Sequence, residues 1–172
     1  SIGVVSAADS CLPGDRLYAV KTAFEDIRLA LAARQETKIK LNLHYAQQRV
    51  AEIEALIENA RPEYIQIAVG RYEQHIKQAT LTLTQIPAQD RQHLAELAEL
   101  VTSVISCECN SLAELLSQVA AAYQPSIDSA VAASRSNYEI LTTVFAASIA
   151  PTGIEAEDVG STAIPAGSDP RP

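Results

Sequence analysis

The sequence predicts an all-α, antiparallel up-down bundle of five to six helices with a disordered C-terminal tail, and three observations carry that reading. Of the 172 residues, 48% are hydrophobic but only 5% aromatic, with no Trp, no Met and six Gly. Ala, Leu and Ile recur throughout, the profile of helices joined by aliphatic seams. Apolar residues return at helical spacing along most of the chain, and short Pro-bearing or polar breaks separate the segments, which favours antiparallel neighbours. A chain of this length forms one domain and buries roughly 70% of the surface its unfolded form exposes.

The first helix is expected to start at Asp15, whose carboxylate would accept the amide of Leu17 or Tyr18 after the turn Leu12-Pro13-Gly14. Its stripe, Leu17, Val20, Phe24, Ile27 and Leu31, steps by 3, 4, 3 and 4 residues and reads as a core seam. A second helix carries Ile39, Leu43, Ala46, Val50, Ile53 and Ile57 and ends before Pro62. A third carries Ile65, Val69, Tyr72, Ile76, Ala79, Leu83 and Ile86; its alternating "TLTLT" at 80–84 is outvoted by the flanking heptads. The fourth, about 88–106, carries Leu94, Leu97, Val101 and Val104 and is expected to fail at "CECN". Ser111 and Glu114 then read as a capping box opening a helix with Leu112, Leu115 and Val119, and after Pro125 a last helix carries Val131, Tyr138, Leu141 and Phe145. From Pro151 onward Pro, Gly and acidic residues prevail, and residues 151–172 read as a flexible tail or linker following a bundle domain over 11–150.

Net charge is −8 and the sequence pI is near 4.8, so the overall field repels phosphate backbones and anionic lipid, and nucleic acid is not an expected partner. Residues 1–10, "SIGVVSAADS", read as the outer end of a membrane anchor or signal segment. Any membrane contact is thus expected only through an upstream anchor.

Lys21 and Glu25 stand four apart on the first helix, Arg49 and Glu52 three apart on the second. Antiparallel packing brings them to similar heights, so a clasp such as Glu25 to Arg49 would fix the register, the alternative being a solvated surface pair. Counting rise along four alternating helices returns the chain at Cys107 to the end that holds Cys11, the fourth helix descending about 28 Å. A disulfide from Cys11 to Cys107 or Cys109 is therefore expected, with a Cys107–Cys109 link, free thiols or an intermolecular bond as alternatives.

No metal site and no cofactor are expected. His44, His75 and His93 fall off the predicted seams, read as surface or boundary residues, and lack the Glu-x-x-His spacing of di-iron bundles. No Gly-x-Ser-x-Gly elbow or glycine-rich phosphate loop is present. Tyr72 and Tyr138 read as core, whereas Tyr18, beside Lys21, reads as an anchor for the helix entry. The final helix has an Ala-rich face at Ala130, Ala132, Ala133, Ala146 and Ala147.

Leu12, Pro13, Gly14, Asp15, Leu17, Tyr18 and Lys21, with Glu25 and the later Ala46, Arg49 and Glu52, resemble a bacterial family of domains of unknown function. That family opens on an LPGD-x-LY-x-x-K motif and carries an A-x-x-R-x-x-E helix. The resemblance spans about residues 12–85 and implies a domain outside the membrane next to an anchor or signal peptide, in some members within proteins resembling anti-sigma factors. It implies no catalytic residues. The expected role is a non-enzymatic extracytoplasmic module of a membrane-anchored or secreted bacterial protein, with a protein partner and a part in interaction, sensing or structure. Two alternatives are a small-ligand-binding bundle, with a cavity between helices two, three and four near His44, His75 or Tyr72, and a hydrolase of unrecognised type.

Overall fold

The computed structural model describes residues 11–87 and 91–149. They form five α-helices, α1 (Tyr18–Leu31), α2 (Gln35–Glu58), α3 (Ile65–Thr84), α4 (Arg91–Leu115) and α5 (Gln124–Ile149), with 3-10 turns at Pro62–Tyr64 and Leu116–Gln118 and no strand among the described residues. The readings of residues 1–10 and of the tail from Pro151 lie outside this range, as do the side chains of Ala146 and Ala147.

Four helices make the bundle. The α2 helix packs on α3, α3 on α5, α5 on α4 and α4 back on α2, while α1 lies outside this square against α2 through a thinner contact. The core is the aliphatic seam that the sequence spells. Ile39, Leu43, Ala46 and Ile53 of α2 meet Ile65, Tyr72, Ile76, Ala79 and Leu83 of α3, closed by Leu97, Val101, Ile105 and Leu112 of α4 and by Ile127, Ala130 and Leu141 of α5. Burying such side chains contributes about 1.5–3 kcal/mol each. The α2 helix closes on Ala60, a non-glycine residue at φ 54°, where the Arg61 amide donates to the Leu56 carbonyl at 2.8 Å. The segment 80–84 is helical, as the heptad frame requires.

Four local expectations give way to different solutions. Asp15 does not cap α1: its carboxylate turns back to accept the Leu12 amide at 2.8 Å, and the helix begins three residues later, where the Tyr18 amide reaches the Asp15 carbonyl at 3.1 Å. The helix does not break at "CECN". α4 runs unbroken through Leu115, and Ser111, instead of capping a new helix, donates its hydroxyl to the Cys107 carbonyl one turn back at 3.3 Å. Leu112 and Leu115 continue the apolar face of Val101 and Ile105, so burial outweighs the polar run between them. Tyr138, expected in the core, is exposed, because Leu141 and Ser134 occupy the inward face of α5.

The fourth correction concerns the first helix. Its stripe does not face the core: Leu17, Val20, Phe24, Ile27 and Leu31 are all exposed, Phe24 at 50% and Leu31 at 77%. The polar side of the same helix, Tyr18, Lys21, Thr22 and Glu25, is buried instead.

Candidate interaction site

The reason α1 faces outward lies on α2. Arg49 is completely buried and Glu52 nearly so, and an aliphatic helix face laid over them would strand both charges in a medium that cannot solvate them. The α1 helix supplies the complement. Arg49 Nη2 stands 2.9 Å from Glu25 Oε1 and 2.9 Å from Glu52 Oε1, and Lys21 Nζ stands 2.7 Å from the same Glu52 oxygen. Arg49 Nη1 donates to the Tyr18 hydroxyl at 3.1 Å, and that hydroxyl donates to Glu52 Oε2 at 3.1 Å. The Arg49 guanidinium also lies 5.6 Å from the centre of the Tyr18 ring. Two cations and two carboxylates thus close on each other around one phenol.

Burial pushes the Glu25 carboxyl above its ordinary range, against the pull of Arg49 and Lys21, and burial together with the Glu52 charge raises the Tyr18 phenol. Tyr18 therefore stays neutral and serves as a hydrogen-bond relay. The spacing Tyr18, Lys21, Thr22, Glu25 is itself a helical face, a second stripe written in polar residues beside the aliphatic one.

The turn ahead of α1 fastens it at the other end. Gly14 has φ 93°, a left-handed conformation, and a Cβ there would lie 2.6 Å from the Tyr64 ring and 2.7 Å from Arg61 Nη2. Arg61 donates to Asp15 Oδ1 at 2.9 Å and to the Pro13 carbonyl at 3.1 Å, and stacks 4.9 Å from the centre of the Tyr64 ring. The Leu12 amide, followed by Arg61, holds the Asp15 carboxyl below its usual range. Leu12, Pro13, Gly14 and Asp15 thus form a staple that docks the chain on the α2–α3 turn, with Pro13 buried and Leu12 packed on the edge of the core.

What remains outward is a surface of α1 with a defined charge pattern. No Asp or Glu stands three or four residues from any member of the stripe, whereas the exposed Arg28 on the helix and Arg16 in the turn before it do. The acidic Asp26 points to the α3 side, where Arg71 Nη1 meets it at 3.0 Å. Arg34, past the end of the helix, is already paired with Glu36 at 3.1 Å, and Arg28 lies near the Tyr45 hydroxyl.

The remaining candidates disperse. His75 is buried rather than at the boundary, 1% exposed on the inner side of α3. Asn42 donates its amide to the Lys38 carbonyl at 2.9 Å, which leaves its Oδ1 to accept from His75 Nδ1 at 3.0 Å. Burial, with Arg49 and Arg71 nearby, lowers the His75 pKa to about 4, so its ring is neutral at neutral pH. His44 is exposed beside Gln48, and His93 lies 3.7 Å from Glu36. Tyr72 turns away from all three to meet Ser134 of α5 at 2.7 Å. The histidines and Tyr72 therefore do not converge on a cavity between α2, α3 and α4. His75 lines an open polar cleft of about 410 Å³ between α1, α2 and α3, with Lys38, Asn42 and Gln78. Among the described residues no group of three metal-ligating side chains converges.

No disulfide joins Cys11, Cys107 or Cys109. Because α4 continues through Leu115, its cysteines sit within the helix instead of at its end. Glu108, between them, lies beside Gln47 of α2, whereas the turn following Cys11 is held by Arg61, past the end of that helix at Glu58. At 1.5 Å per residue, Gln47 to Glu58 alone spans roughly 16 Å, beyond the Cα separation a disulfide can bridge.

Fold and site define a small all-α bundle carrying an external first helix, clasped by a buried charge cluster and apolar on its outer side. The chain belongs to the family described as Domain of unknown function (DUF5667), which matches residues 10–106. The match covers the turn, the clasp, α3 and most of α4, and ends before α5. Comparison with curated proteins and comparison with solved structures return no match.

Proposed function

We propose that this chain is a non-enzymatic, extracytoplasmic helical module of a membrane-anchored or secreted bacterial protein, and that it works by binding another protein. The observation that carries this reading is the inversion of α1. A helix whose charges are buried and whose aliphatic seam faces water is held ready for a partner, since contiguous apolar surface of this kind marks interaction sites. The clasp supports the same role: α1 is ordered before binding, so association does not bear the entropy of folding it.

The extracytoplasmic placement rests on the resemblance of the Leu12 to Lys21 motif to domains found beside anchors and on the apolar residues 1–8. No described helix is long and apolar enough to cross a membrane.

Two measurements on the full protein in its native cells test this reading. A photo-crosslinking residue at Phe24 is expected to give discrete protein adducts, and the same residue at Glu99, on the exposed side of α4, is expected to give none. A membrane-impermeant maleimide is expected to label exposed Cys107 in intact cells. Absence of protein adducts at Phe24 would overturn the interaction role, and labelling only after lysis would overturn the placement.

A further inference from the structure

We propose that the outward stripe of α1 docks an amphipathic helix of a different protein, one whose apolar seam is bordered by Asp and Glu. This rests on the reading of the chain as an interaction module and names the chemistry of its partner.

The stripe has the geometry of a coiled-coil seam. Leu17, Phe24 and Leu31 occupy one heptad position and Val20 and Ile27 the other, so two heptads are presented by a helix about 21 Å long. A facing helix with the same repeat would seat its side chains between them. The borders then select the partner. On its borders stand Arg28 on the helix and Arg16 in the turn before it, both exposed, and no carboxylate.

A second copy of this chain has no acidic border to offer these arginines, so self-pairing gains nothing from them. A helix with acidic borders would meet them with opposite charge. An anionic lipid surface would also attract arginines, but the chain carries a net charge of −8, so its overall field opposes that approach. Two heptads are short for a stable pair of free helices; here one of them is already fixed by the Arg49 cluster and by the Asp15–Arg61 staple, and the entropy of ordering falls on the partner alone.

The test uses the purified full chain and two synthetic three-heptad peptides sharing one Leu/Ile seam, bordered by Glu in one and by Lys in the other. Fluorescence anisotropy is expected to show binding of the Glu-bordered peptide, at least tenfold tighter than the Lys-bordered one. Ile27→Ser is expected to weaken it tenfold or more. Arg28→Glu is expected to narrow or reverse the preference between the peptides. These side chains are exposed, so unchanged circular dichroism and unfolding midpoint accompany the loss. Equal affinity for both peptides, preference for the Lys-bordered one, or binding of neither would overturn the proposal. So would a stripe-dependent dimer in sedimentation, or stripe-dependent binding to phosphatidylglycerol vesicles. If the peptides fail while Phe24 still crosslinks to protein in cells, the acidic-helix partner is wrong and the interaction role stands; if both fail, the role falls with it.

Discussion

Arg49 of α2 and Glu25 of α1 meet at 2.9 Å with Arg49 at 0% exposure, and this pair decides which way the first helix faces. Arg49 also serves Glu52 and Tyr18, so its loss leaves two buried carboxylates with one lysine between them. Arg49→Leu is therefore expected to cost about 3–5 kcal/mol in urea unfolding. Glu25→Leu leaves Arg49 with Glu52 and is expected to cost less, about 1–3 kcal/mol. The double variant should fall short of the sum by more than about 0.5 kcal/mol. Additive losses would mean the two side chains do not share a site. Amide exchange localises the effect: α1 is expected to open in either single variant well before α4 and α5 do.

The staple makes a backbone prediction. Gly14→Ala places a methyl against the Tyr64 ring and forces a left-handed residue with a side chain, which costs about 1–3 kcal/mol in backbone strain before the clash is counted. Tyr64→Ala should remove the ring's part of the clash and leave the Arg61 contact and the strain, so Gly14→Ala is expected to cost less in the Tyr64→Ala background. An equal cost in both backgrounds would show that the ring gives way freely.

Histidine 75 predicts an acid limb. Its pKa falls from an ordinary 6.5 to about 4 on folding, so between those values the unfolded chain binds a proton that the native protein refuses. The stability it contributes is full above pH 6.5, declines as pH falls and is spent below about 4, a total of about 3 kcal/mol. The groups around the ring are Asn42, Tyr45, Arg49, Arg71 and Asp26, the last of which opposes the shift. Glu25 and Glu108 act in the other direction, since burial raises both and their protonation favours the fold. Urea midpoints at pH 7.5 and 4.5 are expected to differ less in His75→Gln than in the wild type. Parallel losses would place the acid sensitivity elsewhere.

The bundle was legible because its signal is redundant: α2 and α3 repeat apolar residues over five or more turns, and misjudging one position leaves the frame intact. Helix α1 is four turns long and carries two stripes at once, Leu17-Val20-Phe24-Ile27-Leu31 and Tyr18-Lys21-Thr22-Glu25. Hydrophobicity alone selects the first. The second wins because Arg49 and Glu52 on α2 leave it the only face that matches, a fact of pairing between helices that no single-helix period contains. The clasp residues could be read from their spacing; that the clasp lies in the interior, and turns the aliphatic face to water, could not. The unbroken α4 has the same origin: "CECN" is a weak local stop, and it yields to Leu112 and Leu115, whose burial depends on the neighbouring helices.

Tyr72 and Ser134 join the family-matched part of the chain to α5, and their hydrogen bonds run in a fixed direction. Ser134 donates its hydroxyl proton to the Ala130 carbonyl at 2.8 Å, so the Tyr72 hydroxyl must be the donor in the 2.7 Å contact between them. Tyr72→Phe therefore removes a donor while Ser134 keeps its own bond, and about 1 kcal/mol of stability is expected to go. Ser134→Ala leaves a buried phenol with nothing to receive its proton and is expected to cost more, about 1–3 kcal/mol. The same contact bears on where the folding unit ends. A fragment stopping at Ser106 cuts α4 within the buried run from Ile105 to Leu112 and uncovers the α3 face on which α5 packs. It is expected to lose the cooperative urea transition and to bind hydrophobic dye, whereas a fragment covering 11–149 keeps the transition of the full chain. Sharp unfolding of the shorter piece would show that α5 is an accessory to a core complete without it.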